Sequence, residues 1–216
     1  MPAREAINAR LVEPGVIAVV RAPRADLLPP LAEALVAGGI VAVEITLTVP
    51  DALGAIRATR ARLGDRAVVG VGSVVDAGSA RAALVAGAEF VVSPICRPEL
   101  VSIAHAADRP VMLGAGTATE AQKVHEAGAD FVKVFPADVL GPAFIRAIRA
   151  PLPHLRIVPT GGVDLETLAA FVQAGSVAVG VGSSLTTRPI LAAADWPALT
   201  RLAAQFVAAM RAARGR

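Results

Sequence analysis

Short apolar runs alternate with amphipathic stretches along the whole chain, and the alternation predicts strand and helix in turn. Eight runs are apolar and bounded by Gly or Pro, at about 16–21, 41–47, 67–73, 90–94, 111–116, 131–136, 156–161 and 177–182, the lengths of strands buried on both faces. Alanine-rich segments with helical spacing separate them, such as 27–37, 51–62, 76–86 and 165–174. Asp51, Asp76 and Asp164 stand at the starts of three of these, as N-cap or first-turn residues whose carboxylates face unpaired N–H groups. Ala37-Gly38-Gly39, Ala86-Gly87-Ala88, Ala127-Gly128-Ala129 and Ala174-Gly175-Ser176 each close a helical segment and lead straight into a strand, because glycine accepts the left-handed conformation that ends a helix. The spacing between these matches is the length of two βα units.

Eight alternating βα units without a hairpin signal predict an α/β fold of the (β/α)8 TIM-barrel type. A doubly wound open sheet is the competing arrangement. The amphipathic segment at 3–11 precedes the first strand and is expected to be an extra helix capping the barrel's bottom. With 216 residues, one domain spanning 1–216 is the expectation.

Composition narrows the core. The chain is 55% hydrophobic but only 3% aromatic, without tyrosine, so Val, Ala, Leu and Ile must fill it. No apolar run reaches the ~18 residues that span a bilayer, so no membrane partner is expected. The first ten residues carry Arg4, Glu5 and Arg10 with no apolar h-region, unlike a secretory signal; cytoplasmic residence is the expectation. The net charge is +3, but the arginines are scattered, and the nearest cluster (Arg57, Arg60, Arg62, Arg66) has no interleaved aromatics. Nucleic acid is therefore not an expected partner. A single Cys96 excludes an internal disulfide and a multi-cysteine metal site; it reads as a small packed residue. His105, His125 and His154 fall on helices or loops away from the strand ends and read as solvated. No metal and no cofactor are expected.

Two residues break the apolar pattern. Lys133, one of only two lysines, interrupts Phe131-Val132-Lys133-Val134-Phe135. A desolvated lysine is a nucleophile able to form a Schiff base with a ketone; alternatively its amine snorkels to water from a strand end. Glu44 interrupts Val41-Ala42-Val43-Glu44-Ile45, as a general acid/base or as the ion-pair partner of Arg21 or Lys133. Period-two alternation puts Lys133 on one strand face with Phe131 and Phe135, and Glu44 with Ala42 and Thr46. In a barrel both faces can line the lumen. Thr160-Gly161-Gly162 and Gly180-Val181-Gly182-Ser183-Ser184 follow the last two strands, where barrels of this type bind phosphate; plain turn glycines are the alternative.

At these residues the chain resembles the 2-keto-3-deoxy-6-phosphogluconate aldolase family, which also shows 4-hydroxy-2-oxoglutarate aldolase activity. Glu44-Ile45-Thr46, Gly70-Val71-Gly72-Ser73-Val74, Phe90 to Pro94, Phe131 to Pro136, Pro159-Thr160-Gly161-Gly162-Val163 and Gly180 to Ser184 carry the resemblance in order. It implies a metal-free class I aldolase, usually a homotrimer, with Lys133 as Schiff-base lysine and Glu44 as general acid/base. It places phosphate against Gly161, Gly162, Gly182 and Ser183, and substrate against Thr46, Ser73, Pro94, Phe135 and Thr160. Many members carry an Arg for the substrate carboxylate where Thr48 stands here. Other members instead end the first strand on Arg, which assigns the carboxylate to Arg21. Ser73 stands where threonine is frequent and Leu113 where proline is common.

The implied reaction cleaves a small phosphorylated 2-keto-3-deoxy sugar acid to pyruvate and glyceraldehyde 3-phosphate. The alternatives are its galactonate epimer, unphosphorylated 4-hydroxy-2-oxoglutarate, or a non-catalytic barrel that only binds a phosphorylated metabolite.

Overall fold

The structure, a computed structural model, describes residues 3–215; residues 1, 2 and 216 lie outside it. Its strands are β1 (Val16–Val20), β2 (Ala42–Thr46), β3 (Val68–Gly72), β4 (Val91–Val92), β5 (Val111–Ala115), β6 (Phe131–Val134), β7 (Ile157–Pro159) and β8 (Val179–Val181). The helices are α1 (Ala3–Val12), α2 (Leu28–Ala37), α3 (Ala52–Leu63), α4 (Ala77–Val85), α5 (Glu99–Ala106), α6 (Ala118–Glu126), α7 (Ala137–Arg149), α8 (Leu168–Gln173), α9 (Arg188–Ala193) and α10 (Trp196–Ala213). The strands form one sheet in the order β7-β6-β5-β4-β3-β2-β1-β8, with parallel pairing along it. The ring closes between β7 and β8 through the Thr160–Gly180 bridge and a 2.9 Å bond from Val177 N to Ile157 O. The fold is a (β/α)8 barrel, not an open sheet.

Each strand is shorter than its apolar run. β4 keeps two residues because Pro94 brings no ladder donor and the chain turns at Ser93, whose Oγ accepts from Ile95 N at 3.3 Å. Asp51 and Asp76 cap α3 and α4 as expected, accepting from Gly54 N and Ser79 N. Asp164 instead caps the turn leading into α8, accepting from Thr167 N at 2.8 Å and Glu166 N at 3.0 Å.

Two apolar layers result. The outer layer lies between strands and helices. The inner one fills the lower lumen with Ile17, Ala42, Val68, Phe90, Val92, Met112, Phe131, Val158 and Ala178, and Ile7 and Leu11 of α1 enter it from below. The extra helix therefore plugs the barrel bottom. Asp130 anchors it there: its carboxylate accepts from Asn8 Nδ2 at 2.7 Å and Val111 N at 3.0 Å. His105 Nε2 lies 2.9 Å from the same carboxylate and is part-buried, so His105 is a structural partner and not a solvated side chain. His125 and His154 are exposed, with ring centroids 4.4 Å apart.

Candidate active site

Alternation along the strands decides what faces the upper lumen. Ala42 and Phe131 belong to the inner apolar layer, so Glu44 and Lys133, two residues further on, point inward one layer higher. Lys133 is 4% exposed and Glu44 2%. Their Nζ and Oε1 atoms are 3.6 Å apart. That is an ion-pair separation but longer than a good hydrogen bond, and Glu44 Oε1 has no hydrogen-bond partner among the described residues. The Lys133 amine also stands 5.5 Å from the centroid of the Phe135 ring, within cation–π range. A buried amine and a buried carboxylate thus share one lumen, and the amine does not snorkel to water.

Beside them, a narrow cavity of about 70 Å³ opens where the ring closes, and Arg21, Phe135, Thr160, Gly161, Gly162, Gly182 and Ser183 line it with Val19, Val163 and Ser184. Gly161 and Gly162 take positive φ angles of 97° and 68°, which turn the backbone back on itself after β7. After β8, Gly182 O accepts from Leu185 N at 2.9 Å and Thr186 N at 3.0 Å, closing one helical turn. Gly161 is held by the Thr160–Gly180 bridge, while the N–H groups of Gly162, Ser183 and Ser184 have no acceptor among the described residues. Free amides at such turns bind anions. Arg21 adds a positive charge: it is exposed, and a Cβ built on Gly182 would lie 3.9 Å from its Nη1.

The remaining expected residues divide. Thr160 is 5% exposed, and its Oγ1 has no partner among the described residues; it borders both the cavity and the lumen. Pro94 crosses the lumen wall over Gly114, where a Cβ would come 2.5 Å from Ile95 N. Ser73 follows β3 in the left-handed region at φ 62°, partly buried. Thr46 is fully buried, and its hydroxyl is engaged, donating to Val20 O at 3.2 Å and lying 2.7 Å from Thr48 Oγ1. It braces β1 against β2 and holds Thr48 at the rim.

Cys96 is partly buried against the outer core, and burial pushes its thiol pKa up, which suits packing better than nucleophilic attack. Among the described residues no three His, Cys, Asp or Glu side chains gather as a metal site, and no helix is long and apolar enough to cross a membrane. A wider cavity, about 550 Å³ between α4 and α5, has Arg81 as its one charged lining residue and contains none of the expected site residues.

Sequence reasoning did not assign roles to Gly72, Gly180 or Asp138. A Cβ on Gly72 would fall 2.6 Å from Glu44 Cδ, and one on Gly180 would fall 3.1 Å from Thr160 Cγ2. Asp138, in the first turn of α7, backs the glycine loop, with its Cγ 3.1 Å from a Cβ built on Gly162. The signal for the two strand glycines was the replacement of β-branched residues within otherwise buried runs.

The chain matches the family described as aldolase, KDPG and KHG aldolase, over residues 7–202. It is 38% identical to 2-dehydro-3-deoxy-phosphogluconate aldolase of Pseudomonas aeruginosa, across 82% of this chain and 80% of that one. It is 35% identical to 2-dehydro-3-deoxy-6-phosphogalactonate aldolase of Escherichia coli, across 78% and 83%. Among solved structures, it superposes with a TM-score of 0.83 at 28% identity on KDPG aldolase from Legionella pneumophila, captured with pyruvate as a covalent carbinolamine; 91% of this chain and 96% of that one are covered.

Proposed function

The chain belongs to the KDPG and KHG aldolase family, and from that premise we propose how its own residues carry the reaction. It is a class I aldolase that cleaves 2-dehydro-3-deoxy-6-phosphogluconate to pyruvate and glyceraldehyde 3-phosphate. The observation that carries the residue assignment is the buried Lys133–Glu44 pair, 3.6 Å apart. Glu44 takes a proton from the Lys133 ammonium, and the free amine attacks the C2 ketone. Glu44 returns protons as the carbinolamine loses water to form the imine. The protonated imine then accepts the electron pair released when C3–C4 breaks, while the C4 hydroxyl proton passes to Glu44 through a water. Glyceraldehyde 3-phosphate departs. Protonation of the enamine at C3 and hydrolysis of the imine free pyruvate and Lys133.

Binding follows the charges. The free amides of Gly162 and Ser183 take the phosphate, with Gly161 and Gly182 opening the two loops around it. Arg21 takes the carboxylate, whose planar geometry suits a guanidinium fork. Phe135 and Pro94 wall the carbon chain, Ser73 supplies a hydroxyl near the lumen, and Thr46 acts through the rim it braces. A metal is not called for, because the imine itself is the electron sink. Reduction with borohydride in the presence of pyruvate should add a stable adduct to the peptide carrying Lys133. An unmodified Lys133 with the label on Lys123 or the N-terminal amine would sink the assignment.

The galactonate epimer is the second reading. Thr160 favours keeping it open, since its free, buried Oγ1 is a candidate partner for the C4 hydroxyl in either configuration. Steady-state rates with the two C4 epimers decide between them. Assembly is proposed to be a homotrimer in the cytoplasm, and light scattering should return three times the 21.9 kDa chain mass.

A further inference from the structure

We propose that Gly72 is a positioning residue for proton transfer: by lacking a side chain it keeps open the slot on β3 into which the Glu44 carboxylate folds. The proposal rests on the reading of Glu44 as the acid/base. Register brings the two strands together, with Glu44 opposite Gly70 and Thr46 opposite Gly72. A Cβ on Gly72 would stand 2.6 Å from Glu44 Cδ and 2.7 Å from Cγ, with Oε1 closer still. These three atoms are its nearest neighbours, and all belong to Glu44. Turning the carboxylate about its last bond relieves none of the Cγ and Cδ overlap, so the whole side chain must leave its present rotamer. Glu44 is 2% exposed, which leaves it little space to retreat within the packed lumen.

Backbone conformation does not demand this glycine. Gly72 is not among the glycines with positive φ, so alanine fits the main chain and meets its obstacle in Glu44. Gly70, on the same strand, differs: its nearest atoms belong to the Phe90 ring of the lower core. One glycine of the pair therefore serves apolar packing and the other the placement of a carboxylate 3.6 Å from Lys133 Nζ.

The test pairs Gly72→Ala with substitutions at Glu44 and reads the exchange of pyruvate methyl protons for deuterium by NMR. This measures proton transfer at C3 without the phosphate. Misplacing a reacting group by an ångström costs up to about 10²-fold. Gly72→Ala is therefore expected to slow exchange and kcat by roughly 10- to 10²-fold, with KM for the phosphorylated substrate little changed. In a Glu44→Gln background it should slow exchange no further. Stability gives an independent reading: Gly72→Ala should lower the melting temperature when Glu44 is present and leave that of Glu44→Ala unchanged, which holds even if the single variant folds poorly. An undiminished loss of exchange in Glu44→Gln, or an equal loss of melting temperature in Glu44→Ala, overturns the proposal alone. Wild-type exchange by Glu44→Gln itself would remove the acid/base reading and the proposal with it.

Discussion

Replacing Lys133 by Met separates what the buried pair does for stability from what it does for chemistry. Met matches the length of the lysine stem and suits an apolar lumen, so the main loss is the ammonium. At 3.6 Å the attraction between full charges is about 5 kcal/mol at an effective dielectric of ~20. Desolvation of both groups offsets most of that in the intact pair. The variant keeps the cost and loses the offset, because the Glu44 carboxylate remains 2% exposed without its cation. Breaking a buried pair in this way costs about 3–5 kcal/mol. Urea unfolding should accordingly show that deficit for Lys133→Met at pH 8. The double variant Lys133→Met/Glu44→Gln removes both charges and should recover most of the stability at pH 8, leaving about 1–2 kcal/mol for the imperfectly paired amide. Neither variant should release pyruvate in an NADH-linked assay. Wild-type stability of Lys133→Met at pH 8 would refute the electrostatic reasoning, and turnover by it would refute the mechanism.

Arg21→Ala should raise KM several-fold for phosphorylated and unphosphorylated keto acids alike if the guanidinium holds the carboxylate; an effect confined to the phosphorylated substrate would move Arg21 to the phosphate, beside Gly182. Glu89, whose carboxylate accepts from Val69 N at 2.9 Å and pairs with Arg60 at 2.7 Å, is nevertheless raised in pKa by burial. Its folded state thus binds a proton more tightly than the unfolded chain, and stability falls as pH rises from the ordinary glutamate value through the raised one. Glu89→Gln should flatten that part of the curve in denaturation from pH 4 to 7, and an unchanged slope would exclude Glu89 as its source. Leu11→Ala empties part of the plug beneath the lumen, where Leu11 is 1% exposed. It should cost about 2–5 kcal/mol by chemical denaturation, with activity at permissive temperature retained.

Much of this protein is legible from local pattern. Apolar runs punctuated by Gly and Asp locate every strand, because a strand buried on both faces must be apolar throughout and its helix must be capped. Parity alone puts Lys133 with Phe131 and Glu44 with Ala42, since side chains alternate strictly along a strand. The amphipathic segment before β1 is recognisable as the bottom plug, and the two glycine loops as the turns that follow β7 and β8, from their places in the eight-unit repeat. What periodicity cannot carry is register between strands and contact across the ring. The 3.6 Å between Lys133 and Glu44 exists because closure brings β2 and β6 to opposite sides of one lumen. Pairing and packing of neighbouring elements set Arg21 beside Gly182, commit the Thr46 hydroxyl to Val20 O, and pair His105 with Asp130. Strand pairing also turns Gly72 from a gap in a β-branched run into room for the Glu44 carboxylate. Sequence determined which side chains face inward; only the packed barrel decided which of them meet, because that depends on distances between segments remote along the chain.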